Sequence, residues 1–364
     1  MRRGTRAMAA LLAVALAVGA CSSDDKGGGV ADGAKGATAT DGQLLARLAD
    51  TIPASYAALD TDLDALGTSL ATLCTSPSAT AVDSAKAAWR DATLAWESTR
   101  ATDVGPAIER RLMSSVGFKA RPDEVTALLA GTTAVDETTL AASGSGVRGL
   151  FAIEAGLFGD GASDLATAAG ARRCQYLMSV TRLSGTATLQ VLDDWRKAGG
   201  YATTLVKGMD GNPQSSVEAI VNELTFRLQE ADDQGLMSFT TAKAYDALPT
   251  SRKEGSAAYG LASIKGILDG VVAAILPDAD GKPGLAELVR RHSTTAGDRL
   301  QTLAAAAASA TRPLPDSIAE AMGSDRAALR KASQAVSALR VFVSTTVASQ
   351  LGVTIGFSDA DGDS

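Results

Sequence analysis

Between Val147 and Asp160 the chain reads V-R-G-L-F-A-I-E-A-G-L-F-G-D, and ahead of the closing aspartate its charged side chains are Arg148 and Glu154. A carboxylate in such apolar company needs a partner, because burying an unpaired charge is costly. Two kinds of chemistry meet that need. Glu154 pairs with an arginine such as Arg148, or it contacts a ligand, in which case Arg148, Gly149 and Glu154 form the candidate binding set and Glu154 the candidate metal ligand.

Other chemistry is thinly supplied. The chain has one histidine, His292, which follows Arg290-Arg291 on an expected exposed helix face. A zinc peptidase draws two or three ligands from histidines and carboxylates and adds a general base, and no H-E-x-x-H occurs. A serine triad would need the same His292 and has no G-x-S-x-G elbow to sit on. Haem ligation would rest on His292, a methionine or one of 5 tyrosines, with nothing selecting one. Asp278-Ala279-Asp280-Gly281 and Asp359-Ala360-Asp361-Gly362-Asp363 echo the start of a calcium loop. Neither supplies the full oxygen spacing or the glutamate at the twelfth position, so a turn and a tail are expected.

The N-terminus sets the compartment. Arg2, Arg3 and Arg6 precede an apolar run from Met8 to Val18, the layout of a secretory signal and too short for a membrane span. The run ends in Val18-Gly19-Ala20-Cys21, which looks like a bacterial lipobox, so Cys21 is the expected lipidation site and the mature N-terminus. Ser22 rather than aspartate at the second mature position favours the outer membrane, facing the periplasm. Residues 21–42 are polar and glycine-rich and read as a flexible tether.

The net charge of −7 becomes −10 once residues 1–20 take their three arginines with them. That acidity argues against nucleic acid as a partner. No basic cluster suits anionic lipid, so membrane association falls to the lipid anchor. Cys74 and Cys174 remain in the body, and an exported chain oxidises such a pair. A disulfide closing 100 residues is expected, a staple worth on the order of 4 to 5 kcal/mol in the loop-entropy picture and usually less in practice.

The elements that position these groups read as helices almost throughout: alanine is abundant and prolines fall mostly at helix ends. Ile52 to Cys74 is helical, with Pro53 suited to a first turn. Ser78 caps a helix to about Ala101 in which Trp89 and Trp96 share a face with Ala85 and Ala92. Pro122 opens a short helix with Asp123 and Glu124 in its first turn. Ser143-Gly144-Ser145-Gly146 breaks the chain before the central stretch, either as a plain loop or as a set of backbone N–H groups able to hold an anion. A long helix follows from about Thr167 to Lys197.

Gly199 to Pro213 is the best boundary between halves. Beyond it lie an amphipathic Ser216–Leu228, a loop at 249–254, and a helix from Ser256 to Leu276 in which Gly266 and Gly270 permit close backbone approach. Pro283 opens a helix through Ala310, and Ser324-Asp325 caps one striped by Leu329, Ala332, Val336, Leu339, Val343 and Val347. The expected organisation is signal 1–20, tether 21–42, helical bundle 43–198, linker 199–215, helical bundle 216–358 and acidic tail 359–364.

From Gly149 the chain reads G-L-F-A-I-E, which resembles the G-x-H-x-x-E signature of the imelysin-like family with Phe151 in place of the histidine. The likeness continues through Trp89 and Trp96, Val104-Gly105-Pro106, Arg121-Pro122-Asp123, Arg172-Arg173-Cys174-Gln175-Tyr176-Leu177, the segment from Glu254 to Ser263, and Gly352 to Asp359. It covers most of residues 43–360. The resemblance implies an all-α fold of two helical bundles joined near residues 199–213, with the signature helix near their junction.

Members are envelope proteins, some linked to iron or haem uptake, and the founding activity was described as peptidase. A histidine and a glutamate three apart share a helix face and can grip one metal ion; here Gly149 and Glu154 survive, and the form R-G-L-x-A-x-E looks like a branch without the histidine. The implied function is a non-enzymatic envelope binding lipoprotein connected with iron or haem uptake. The alternatives are a metallopeptidase-like protein with an altered site and a structural or interaction lipoprotein. Iron or another divalent metal is the implied cofactor, and iron-uptake components are implied partners. Glu154 is expected to face a cleft at the junction, with Arg148 nearby and Phe151 filling the histidine's place.

Overall fold

The computed structural model describes residues 40–243 and 260–356. Cys21 with its signal, the expected tether up to residue 39, the loop at 249–254 and the acidic tail lie outside the described residues, whereas residues 40–42, also expected as tether, cap and open the first helix. The described residues are helical with no strand among them.

Helix α1, Asp41–Thr75, starts well before Ile52. Thr40 caps it, accepting from the Gln43 amide while the Gln43 side chain accepts from the Thr40 amide, a reciprocal box that fixes a helix start. Leu44, Leu45 and Leu48 extend the buried stripe of Ile52, Leu59, Leu63, Leu66, Leu70 and Leu73 toward the N-terminus. Pro53 therefore lies inside α1 and not in its first turn; burial along this stripe outweighs the backbone hydrogen bond a proline removes.

Helix α2, Ala79–Arg100, is capped by Ser78 and buries Ala85, Trp89, Ala92 and Trp96 on one face as the spacing predicts. Short helices follow: α3 (Pro106–Glu109), α4 (Pro122–Ala130), α5 (Glu137–Ala141) and α6 (Leu150–Phe158). Helix α7, Ala171–Arg196, packs on α1. The Cys74–Cys174 disulfide, Cα to Cα 5.6 Å, ties the end of α1 to the first turn of α7. Helix α8, Tyr201–Lys207, occupies the segment between the halves and packs on α1, α7 and α9.

The second half contains α9 (Pro213–Gln229), a π-turn at Glu230–Leu236, α10 (Met237–Thr241), α11 (Gly260–Ile275), α12 (Leu285–His292), α13 (Thr294–Thr311), α14 (Ile318–Ser324), α15 (Arg326–Phe342) and α16 (Ala348–Leu351). The single helix expected from Pro283 to Ala310 is two, α12 and α13. Ser293 takes an extended conformation and its hydroxyl accepts from the Ala296 amide, so it caps a new helix. Asp325, as expected, caps α15 by accepting from Ala328.

The two bundles share one core. Helix α11 lies on α2, where a Cβ at Gly266 would come 3.0 Å from the Leu94 carbonyl oxygen and one at Gly270 2.3 Å from that of Ser98. Arg47 of α1 crosses to the second half, donating to the carbonyls of Ala273, Leu276 and Pro283 at the end of α11 and just beyond it, a side-chain cap for otherwise orphaned acceptors.

Candidate functional site

Helix α6 carries the central stretch. Gly149 precedes it at φ +80°, and a Cβ there would sit 2.5 Å from the Val116 carbonyl oxygen, so glycine is required both by backbone conformation and by space. Three side chains then fix the helix. Trp89 Nε1 donates to the Leu150 carbonyl at 2.8 Å, the Tyr176 hydroxyl to that of Val147 at 3.0 Å, and Arg173 to the carbonyls of Gly156 at 3.0 Å and Asp160 at 2.5 Å. Arg172, its neighbour on α7, serves α4 in the same way through Leu128, Leu129 and Thr133. The run Arg172-Arg173-Cys174-Gln175-Tyr176 is thus a clamp: two arginines satisfy the last carbonyls of two helices, the cysteine holds α1 and the tyrosine braces the lead-in to α6.

Inside this clamp Glu154 is 5 % exposed. Burial pushes its carboxyl up to about 8, since a low-dielectric site penalises the charged form. Arg148 does not pair with it. Its guanidinium donates to the Ala141 carbonyl at 2.9 Å and to the Ser145 hydroxyl at 3.4 Å, closing the end of α5; the extended backbone of residue 148 points the side chain back along the chain. Among the described residues no ion pair or hydrogen bond reaches Glu154 from a side chain. The main neighbours of α6 are α2, α4, α7 and the short turns around them. The lead-in, read either as a plain loop or as a set of free amides, is a 3₁₀ turn at Ser145–Val147 in which the Val147 and Arg148 amides are satisfied by Gly144 and Ser145.

The α6 donor set does not fit a divalent cation. Phe151 has no lone pair, Glu154 favours its neutral form, and no group of three histidine, cysteine or acidic side chains able to hold a metal occurs among the described residues. His292 is exposed at the end of α12, its Nε2 3.4 Å from Arg291 Nη2. Asp278 forms a turn, accepting from the amides of Asp280 and Lys282. Asp359 to Asp363 lies outside the described residues.

A charged network that sequence reasoning missed fills the seam between the halves. Arg100, at the end of α2, pairs with Glu97 at 2.5 Å and with Glu230 at 2.7 Å. Arg227 of α9 pairs with Glu230 at 2.8 Å and with Glu223 at 2.7 Å, and donates to the Arg100 carbonyl. Tyr56 of α1 donates to Asp103 at 3.0 Å. Glu97-x-x-Arg100 and Glu223-x-x-x-Arg227-x-x-Glu230 are intrahelical pair spacings. The available signal was that these pairs run in phase with buried residues such as Thr93, Trp96, Ile220 and Leu224.

The arrangement is an all-α protein of two bundles, with the glycine-started short helix that carries the buried acid packed among α2, α4 and α7 of the first bundle and not at the junction where it was expected. The imelysin family profile matches residues 52–344, and the chain belongs to that family. A crystal structure of an imelysin-like protein from Psychrobacter arcticum superposes with a TM-score of 0.70 at 18 % identity, covering 88 % of this chain and 99 % of that one. A candidate iron-regulated protein A precursor from Parabacteroides distasonis gives 0.70 at 18 % identity, covering 87 % and 97 %. No curated protein matches.

Proposed function

We propose that this protein is a non-enzymatic binding lipoprotein of the bacterial cell envelope, connected with iron or haem uptake. The observation that carries the reading is Glu154, which keeps the family's acid in a buried place while Phe151 replaces the histidine that would complete a metal grip. The name of the Parabacteroides distasonis relative, an iron-regulated protein, supports the link to iron. A neutral carboxyl both donates and accepts hydrogen bonds, which suits iron presented inside a carrier or as haem better than a bare cation. Gly149 sets the turn that holds Glu154, and Arg148 stiffens the approach to it.

In this reading Cys21 carries the lipid, the body faces the periplasm from the outer membrane, and iron-uptake components are its partners. The test is titration of the purified protein with iron salts, a ferric chelate and haem. Bare divalent metal should bind weakly and Phe151→His should increase its uptake. Glu154→Ala should impair chelate or haem binding more than it lowers fold stability. Tight zinc or iron binding with Glu154 dispensable, or unfolding of Glu154→Ala, would sink the proposal.

A further inference from the structure

The seam network places four carboxyls, Glu97, Asp103, Glu223 and Glu230, around two guanidiniums, Arg100 and Arg227. Glu97 is 1 % exposed and Asp103 6 %. Glu223 and Glu230 keep 15 % and 25 % of their side chains exposed, so the fully ionised cluster would hold two surplus negative charges in a site largely but not wholly shielded from water, which is costly. A cation would neutralise them, but the carboxyls do not gather into a metal-holding group among the described residues. Protons are the remaining counter-charge.

Glu230 takes both arginines and Glu97 takes one. Glu223 shares Arg227 with Glu230 and faces Asp103, while Asp103 accepts from Tyr56. The groups acting on Glu223 are Arg227 on its own helix, Asp103 and Arg100 from the end of α2 and the loop after it, and Tyr56 from α1. Beyond Glu230 along the π-turn, Arg340 of α15 holds Asp232 at 2.8 Å and Asp233 at 3.7 Å, a separate pairing. The network joins α1 and α2 of the first bundle to α9 and the π-turn of the second, and π-turns often mark functional positions.

We propose that this seam is a proton-operated latch: with the bundles closed, the Glu223–Asp103 side of the network holds a proton, and losing it loosens α9 and the π-turn from the end of α2. The titration behaviour agrees. Burial raises Glu223 to about 7 against the pull of Arg227, and raises Glu97 and Asp103 despite their partners. At Glu230 burial is outweighed by Arg100 and Arg227, and its carboxyl lies below the ordinary range. A carboxyl raised in the closed state and ordinary in the open state favours closure below its open-state value, and that preference is lost as pH rises through the closed-state value. The latch therefore holds at mildly acidic pH and slackens above neutrality.

Hydrogen exchange of the full chain at fixed pH tests this, with Glu223→Gln as a mimic of the protonated form. At pH 8 the amides of residues 213–236 should exchange about tenfold or more slowly in Glu223→Gln than in the natural protein, and at pH 4, below the open-state value of the carboxyl, the two should coincide. Equal rates at pH 8, or the same ratio at both values, would overturn the latch. If Glu223→Gln does not fold, Asp103→Asn is read in the same way. Should neither fold, carboxyl-carbon NMR of the natural protein decides: besides Glu154, at least one of Glu223 and Asp103 must titrate above pH 6, and its absence would overturn the proposal.

Discussion

At the scale of single residues, Glu154 and Arg148 show how a charged pair in sequence separates in space. Six positions apart, they leave the chain on opposite sides of the Gly149 turn, Arg148 to the end of α5 and Glu154 into the packed side of α6. Glu154 in consequence has a testable pH signature. Its carboxyl is raised to about 8 by burial, so its contribution to stability is full below the unfolded value near 4.5 and is lost as pH climbs through 8. Glu154→Gln should match the natural protein at pH 4.5 and exceed it at pH 8.5 by on the order of 2 to 4 kcal/mol in urea unfolding. Equal stability of the two at pH 8.5 would show that the carboxyl is solvated.

At the scale of elements, the α2–α11 contact makes the sharpest prediction. Gly270 has the Ser98 carbonyl where a methyl group would go, so Gly270→Ala must push two helices apart. The expected loss is about 1 to 3 kcal/mol, read as a fall in thermal midpoint; Gly281→Ala, in an open turn, serves as the comparison for a change without a clash, though its positive φ of 75° adds a small strain of its own. Gly266 and Gly270 were legible in the sequence because their spacing within an apolar stripe has one common use. The tryptophan face of α2 was legible from its helical spacing, and the cysteine pairing because only two cysteines follow residue 21. The α1 start and the break at Ser293 were not: a proline and an unbroken apolar pattern give the local signal, while Thr40 and Ser293 decide the outcome through single caps. The seam network escaped notice because Glu97–Arg100, Glu223–Arg227 and Arg227–Glu230 also read as ordinary surface pairs of a solvated helix, while the Arg100–Glu230 pair that joins the halves has no local spacing to betray it.

At the scale of the whole molecule, the bundles are two in chain order and one in packing. The disulfide belongs to the first. Reducing it should lower stability by up to about 4 kcal/mol and release the start of α7 before the second half is disturbed, which hydrogen exchange under reducing conditions can resolve; uniform loosening of the whole chain would argue against that order. No described helix is long and apolar enough to cross a membrane, and the proposed anchor at Cys21 carries its own check. Cys21→Ser should move the protein from the membrane fraction to the soluble one, whereas unchanged fractionation in high salt would refute the anchor.

The clamp on α7 has an evolutionary corollary. Arg172, Arg173, Cys174 and Tyr176 reach four different parts of the chain from little more than one helical turn. One residue inserted or deleted within that turn rotates the remainder of the helix by about 100°, swinging part of the set away from its targets at once. Relatives of this chain should accept exchanges of residue type in the segment far more readily than changes in its length, and an alignment gap between positions 172 and 176 would mark a protein that holds its signature helix by other means.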